Sequence, residues 1–278
     1  MLKVVKRFFP FFMSNTPLDI YSLLPRSDDE TNIFFWSSTI KGKHIDFANA
    51  CILTQLDHCK ADRPPKHEFL KAHLTLLLDG KKHKVHLIIH RTPALNVEVI
   101  ENAPKPQRAS TTSLASPKSP LSSRSPSPSS STFSGHVLAI LGNGNLVPAT
   151  DRVIIIKAGS DKEFEEACSE KFGSYVTLNT LSIGEQHTSM SAPELATVLE
   201  VTHNVAPNYT LKRHQCYWFT LIIFLIVRAK TKGKESNNKC IKQRGKLWWI
   251  APSHTADDDE NVVQDEYDKV WGDFEVNF

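Results

Sequence analysis

Apolar and polar positions alternate most regularly between His67 and His90, HEFLKAHLTLLLDGKKHKVHLIIH. Asp79-Gly80 stands between two apolar runs, the pairing that closes a tight β-hairpin. A two-residue loop there sets Leu78 opposite Lys81, and the register can be read backwards from that pair. Leu74 then faces Val85, Ala72 faces Leu87 and Leu70 faces Ile89, which makes one apolar face. The other face carries His73 opposite His86, and Phe69 opposite His90, because side chains in a strand alternate with a period of two. A four-residue loop is the competing closure, and a one-residue slip would invert the two faces.

Helical signals lie further along. Ser160-Asp-Lys-Glu is a capping box that opens a helix running to Phe172 and stopping at Gly173. Ser191-Ala-Pro-Glu opens a second, PELATVLEVTHNVA, which ends before Pro207. Between the hairpin and these helices, HVLAILGNGNLVPATDRVIIIKAG predicts two strands around Gly142-Asn143-Gly144. That tripeptide precedes a strand and lacks a following Lys-Ser/Thr, so it reads as a turn rather than a phosphate loop. Upstream, IFFWSSTIKGKHIDFANACILTQL suggests a strand, a Lys-Gly-Lys turn and a second apolar element.

The apolar run Cys216–Val227 spans 12 residues, whereas a membrane helix needs about 20. It is expected to be a buried helix, with a strand after Thr220 as the competing outcome because Ile and Val lower helix propensity. The basic and apolar start, MLKVVKRFFPFF, is interrupted by Pro10 and is not read as a signal peptide. No membrane span is expected.

The pattern predicts an α+β fold: an antiparallel sheet with a central hairpin, two or three helices, and one long disordered insert. Residues 1–13 form a flexible N-terminus, 14–102 the first part of the domain and 135–250 its second part with the cysteine helix. Residues 103–134 are a Ser/Pro-rich insert and 251–278 an acidic tail. The insert has no apolar period and cannot offset its ordering entropy by burial, so disorder is expected. Its Ser-Pro steps at Ser116, Ser119, Ser125 and Ser127 offer acceptors for proline-directed kinases.

Composition narrows the classes further. The 278-residue chain is 40% hydrophobic and 23% charged with a net charge of +3, which suits a folded domain and gives little drive toward nucleic acid. Its charge is segregated: residues 228–246 hold eight basic and one acidic residue, and 257–275 hold nine acidic and one basic. Such blocks are ordinarily solvated. With the insert, they are the expected contact surfaces for protein partners. Trp248-Trp249 beside the basic run is weak support for base stacking, and core or edge packing is the default. Cys51, Cys59, Cys168, Cys216 and Cys240 are an odd, scattered set without a CxxC pair, which points to a reducing compartment. A cytoplasmic location is expected, with the nucleus open.

Candidate chemistry centres on Cys216. It stands where NYTLKRHQ gives way to CYWFTLIIFLIV, in the expected first turn of a helix. Lys212, Arg213 and His214 precede it, and a helix N-terminus with positive neighbours lowers a thiol pKa. Tyr209, Leu211, Gln215, Cys216 and Phe219, together with a histidine that opens an earlier strand, resemble the circularly permuted papain-like fold. The lecithin retinol acyltransferase and NlpC-like families share that layout. PPKHEF and QCYWF are also similar to motifs in a group of fungal proteins. The resemblance implies thiol hydrolysis or acyl transfer: Cys216 as nucleophile, His67 as base, His86 as orienting group, and Gln215 positioning the oxyanion.

Gln215 replaces the family's asparagine, and Tyr217-Trp218 replaces Glu-His. The hairpin register also sets the histidines on the face opposite the one a cysteine helix would cover. The alternative is a non-catalytic interaction protein of the same fold, with Cys216 in the core. No cofactor is expected. His73, His86 and His90 share a face but have no carboxylate or thiolate at matching spacing, so they are expected to be solvent-exposed rather than metal ligands.

Overall fold

The structure is a computed structural model that describes residues 30–42, 45–63, 66–78, 80–94, 146–156, 160–184, 186–210, 213–246 and 257–277. The Ser/Pro-rich insert, the 1–13 segment, the expected strand before Gly142, its Gly-Asn-Gly turn and Trp248-Trp249 lie outside the described residues.

An antiparallel sheet dominates. Its strands are β1 (Glu30–Asn32), β2 (Cys51–Ala61), β3 (Glu68–Leu78), β4 (Lys81–Pro93), β5 (Val147–Ile156), β6 (Tyr175–Ser182) and β8 (Lys234–Asn237). Their order is β1-β5-β4-β3-β2-β6-β8, and the two-residue β7 (Asn208–Tyr209) pairs with β5. The β3–β4 hairpin is central. Its register pairs Leu78 with Lys81, Leu74 with Val85, Leu70 with Ile89, His73 with His86 and Phe69 with His90. Gly80 adopts φ 73°, the left-handed backbone that a two-residue hairpin loop demands.

One face of the sheet carries the main core. Leu70, Leu74, Val85, Leu87, Ile89, Val153 and Ile155 pack there with α1 (Ile33–Lys41), α4 (Ala192–Val205), α5 (Cys216–Thr231) and α6 (Asp257–Asn277). The run from Cys216 is a helix throughout, despite its Ile and Val content. Burial on nearly every side of α5 overrides propensity: Phe219, Ile222, Ile223, Phe224, Ile226 and Val227 have no exposed surface. Among the described residues no helix is long and apolar enough to cross a membrane.

Two segments differ from expectation. Ile33–Lys41 is a helix, not a strand. The Asn32 side chain accepts a hydrogen bond from the Phe34 N–H at 2.8 Å, capping it, and Ile33, Trp36 and Ile40 turn inward at helical spacing. The acidic block is the 21-residue α6, which docks Val263 and Tyr267 in the core with Val270 and Trp271 beside them. The short helix α2 (Ile45–Asn49) follows α1 and leads into β2.

The opposite face is covered in part by α3 (Asp161–Phe172). Its capping box is formed as expected between Ser160 and Glu163, and it ends at Gly173, φ 74°. Phe164, Cys168 and Phe172 lie on this face with Cys59, Phe69, Ile88 and Ile154. This second, smaller core is the reason His86 and His90 are buried, at 1% and 3% exposure, where solvent exposure was expected.

Candidate functional site

At the N-terminus of α5 the inner face of the sheet turns polar. Glu68 is buried, and its carboxylate accepts from Lys60 Nζ at 2.8 Å, contacts His58 Nε2 at 2.8 Å and accepts from the Gly245 N–H at 2.9 Å. Lys60 in turn donates to the Gln243 and Lys246 carbonyls. Gly245 must be glycine: it has φ 71°, and a Cβ there would lie 2.9 Å from the Tyr217 ring. Thr220 Oγ1 lies 3.1 Å from His58 Nε2 and donates to the Cys216 carbonyl. Burial alone would raise the Glu68 pKa, but the bond to His58 and the charges of His58 and Lys60 hold it below the usual carboxylate range.

Cys216 sits in this network, 4% exposed, in the first turn of α5. Its sulfur contacts the Tyr209 hydroxyl and the Glu68 and Tyr217 main chain. Burial pushes the thiol pKa up, the Glu68 main-chain contact partly offsets this, and the Glu68 charge pushes it further. The helix terminus and basic neighbours therefore do not prevail. Gln215, the N-cap residue, is buried and makes no side-chain cap bond. With Lys60, Lys66, Glu68 and Cys216 it lines a crevice that has no space for a water molecule.

His67 and His86 are not brought to this thiol. His67 precedes Glu68, so its side chain is directed to the other face, where it stacks on Phe172 and meets His90 edge-on. Burial, then the charges of His90 and Lys171, lower its pKa to about 3. His86 is stacked on Phe164 on that same outer face. On the inner face the β3 residue closest to the thiol is a carboxylate, Glu68, instead of an imidazole.

A different cleft opens on the outer face, about 370 Å³ in volume. Thr54, Gln55, Asp57, His73, His86 and Asp161 line it, with Lys84 and Glu165 at its rim. His73 Nδ1 and His86 Nδ1 are 3.2 Å apart. Asp57 Oδ2 lies 3.4 Å from His73 Nε2, and Asp57 Oδ1 accepts from Thr180 at 2.7 Å. Burial acts to raise the Asp57 pKa, but the bonds from His73, Thr180 and Gln55 and the Lys71 charge keep it low. Asp161, the first residue of α3, holds Lys84 at 2.8 Å and lies 3.7 Å from His86 Nε2. Burial first, then the positive potential of His73, lowers the His86 pKa to about 4, so its imidazole is neutral at pH 7. His90 is remote from the cleft, paired with Glu30 at 2.8 Å.

The sequence pattern indicated that His73 and His86 were neighbours. The signal for their carboxylate, Asp161, was its place just inside the Ser160 capping box, but nothing local says on which face that helix docks. Comparison with protein-family models, curated proteins and solved structures finds no match to this chain. The resemblance to the permuted papain-like families thus rests on the quoted residues alone.

Proposed function

We propose that this chain is a non-catalytic binding protein whose working surface is the outer-face cleft, with Cys216 belonging to the core. One observation carries the reading: the thiol is enclosed beside the Glu68 carboxylate, which disfavours the thiolate that nucleophilic chemistry requires. The cleft supports the positive half of the proposal. It is the described hollow with room for a ligand and several convergent polar side chains, the usual character of a binding site.

Iodoacetamide labelling followed residue by residue by mass spectrometry tests this. In the native protein Cys240, the one partly exposed cysteine, is expected to label at pH 8. Cys216 is expected to label only after urea unfolding. Rapid native labelling of Cys216 at pH 6, slowed in His67→Ala, would instead support thiol hydrolysis or acyl transfer and overturn the proposal.

A further inference from the structure

We propose that His73, His86 and Asp161 form a site for a divalent transition-metal ion of the zinc type. The inference rests on the cleft being the working surface and names what that surface takes.

The geometry begins with the two rings. One nitrogen from each histidine and one Asp161 oxygen all lie within 4.8 Å of one another. Zinc binds imidazole nitrogen and carboxylate oxygen at about 2.0–2.1 Å, which places tetrahedral ligands about 3.3 Å apart. The two rings are already in direct contact, hydrogen-bonded through their Nδ1 atoms at 3.2 Å, and His86 has its other nitrogen, Nε2, to offer an ion. Asp161 has to swing inward and give up its bonds to Lys84; its exposed side chain on the first turn of α3 has the room to do so.

A second observation is independent of that spacing. His86 is 1% exposed, and its Nε2 is buried without a hydrogen-bond partner. A buried polar nitrogen left unpaired is costly, and an ion bound at this Nε2 would satisfy it. The nearest acidic atom to it is Asp161 Oδ1, at 3.7 Å.

The surroundings fit as well. Metal-binding histidines commonly present their far nitrogen to a carboxylate that fixes tautomer and orientation. Asp57 stands in that relation to His73, with its Oδ2 3.4 Å from Nε2, and is itself held by Thr180, Gln55 and Lys71. Stacking on Phe164 fixes the His86 ring. Imidazole and carboxylate without thiolate suit zinc, and also suit cobalt or nickel. Three protein ligands leave a fourth position toward the cleft, for water or an anionic group. Lys84 is the competitor, because it now holds the Asp161 carboxylate.

The test is calorimetric titration of the full chain with zinc chloride at pH 7.5 under reducing conditions, repeated with cobalt for its absorption spectrum. One equivalent is expected, with cobalt bands of a tetrahedral nitrogen–oxygen site and no thiolate charge-transfer band. Asp161→Asn, a surface change that leaves folding intact, is expected to weaken binding at least tenfold, and His86→Gln to abolish it. Lys84→Ala is expected to tighten binding by releasing Asp161. Binding unaffected by Asp161→Asn, a thiolate band, or no binding would overturn the proposal. Each of those results leaves the buried state of Cys216, read by iodoacetamide, as a separate measurement.

Discussion

Replacing Glu68 by leucine leaves the Lys60 ammonium buried with only the Gln243 and Lys246 carbonyls for partners, and removes the acceptor facing His58 and the Gly245 N–H. Lys60 and Glu68 side chains are 4% and 2% exposed, so water cannot substitute for the lost carboxylate. Breaking one side of such a pair typically costs about 3–5 kcal/mol, whereas replacing both partners by apolar residues is often close to neutral. Lys60→Met/Glu68→Leu still forfeits the bonds from Lys60 to two carbonyls, from Gly245 and between Glu68 and His58, each worth about 1 kcal/mol. The double variant is therefore expected to lose about 4 kcal/mol. That is less than the sum of the single losses, with a coupling of about 2 kcal/mol or more.

Urea unfolding at pH 7 of the wild type, both single variants and the double variant measures the cycle. The pH dependence supplies an internal check. The folded Glu68 pKa is depressed, so its contribution is present above the unfolded carboxyl value of about 4.3 and is lost as pH falls through the folded value. The gap between wild type and Glu68→Leu should narrow below pH 4. A loss under about 1 kcal/mol for Glu68→Leu at pH 7, or an additive cycle, would refute the account of this network.

Two further predictions follow from other parts of the fold. His67 titrates near 3 when folded and near 6.5 when unfolded, so the neutral ring favours the folded state. Stability should fall as acid is added below pH 6.5, with His67 contributing up to about 1 kcal/mol per pH unit; under chemical denaturation His67→Phe should make the slope shallower by that amount and leave the part due to His86 and His90. Tyr267→Ala should destabilise by about 3–5 kcal/mol, as expected for removing a fully buried aromatic side chain, and a change within 0.5 kcal/mol by thermal melting would mean that α6 is not part of the core.

What could be read from the chain was what is encoded locally. The hairpin register follows from period-two alternation around Asp79-Gly80, and the helix starts at Ser160 and Ser191 follow from side chains three residues apart. The α1 segment misleads because Phe34, Phe35 and Trp36 favour strands by propensity. The inward stripe of Ile33, Trp36 and Ile40, fixed by the Asn32 cap, decides otherwise. In α6 the charges hide a stripe of Val263, Tyr267, Val270 and Trp271 at helical spacing. The polar networks were out of reach for a different reason. Glu68 meets Gly245 across 177 positions and Asp57 meets Thr180 across 123, so neither pair leaves a mark in a local window.

The same alternation couples the core to the candidate site. Along β3, Glu68, Leu70, Ala72 and Leu74 face the large core, while Phe69, Lys71 and His73 face α3 and the cleft. Along β4, Val85, Leu87 and Ile89 face inward, while His86 and Ile88 face outward. A shift of one residue at the Gly80 turn would exchange the two sets, setting His86 in an apolar core and Leu87 in the cleft. Burying the large face therefore sets the relative positions of His73 and His86 on its own, and the contact between the rings adds to it. The 3.2 Å separation of their nitrogens is held by core packing on the other side of the sheet. Only Asp161 is free of this constraint, since it arrives on a helix anchored by Phe164 and Phe172 over the outer face. Two ligands set by the sheet and one carried by a docked helix leave the site open to adjustment at a single point. That point is where Lys84 now holds the carboxylate.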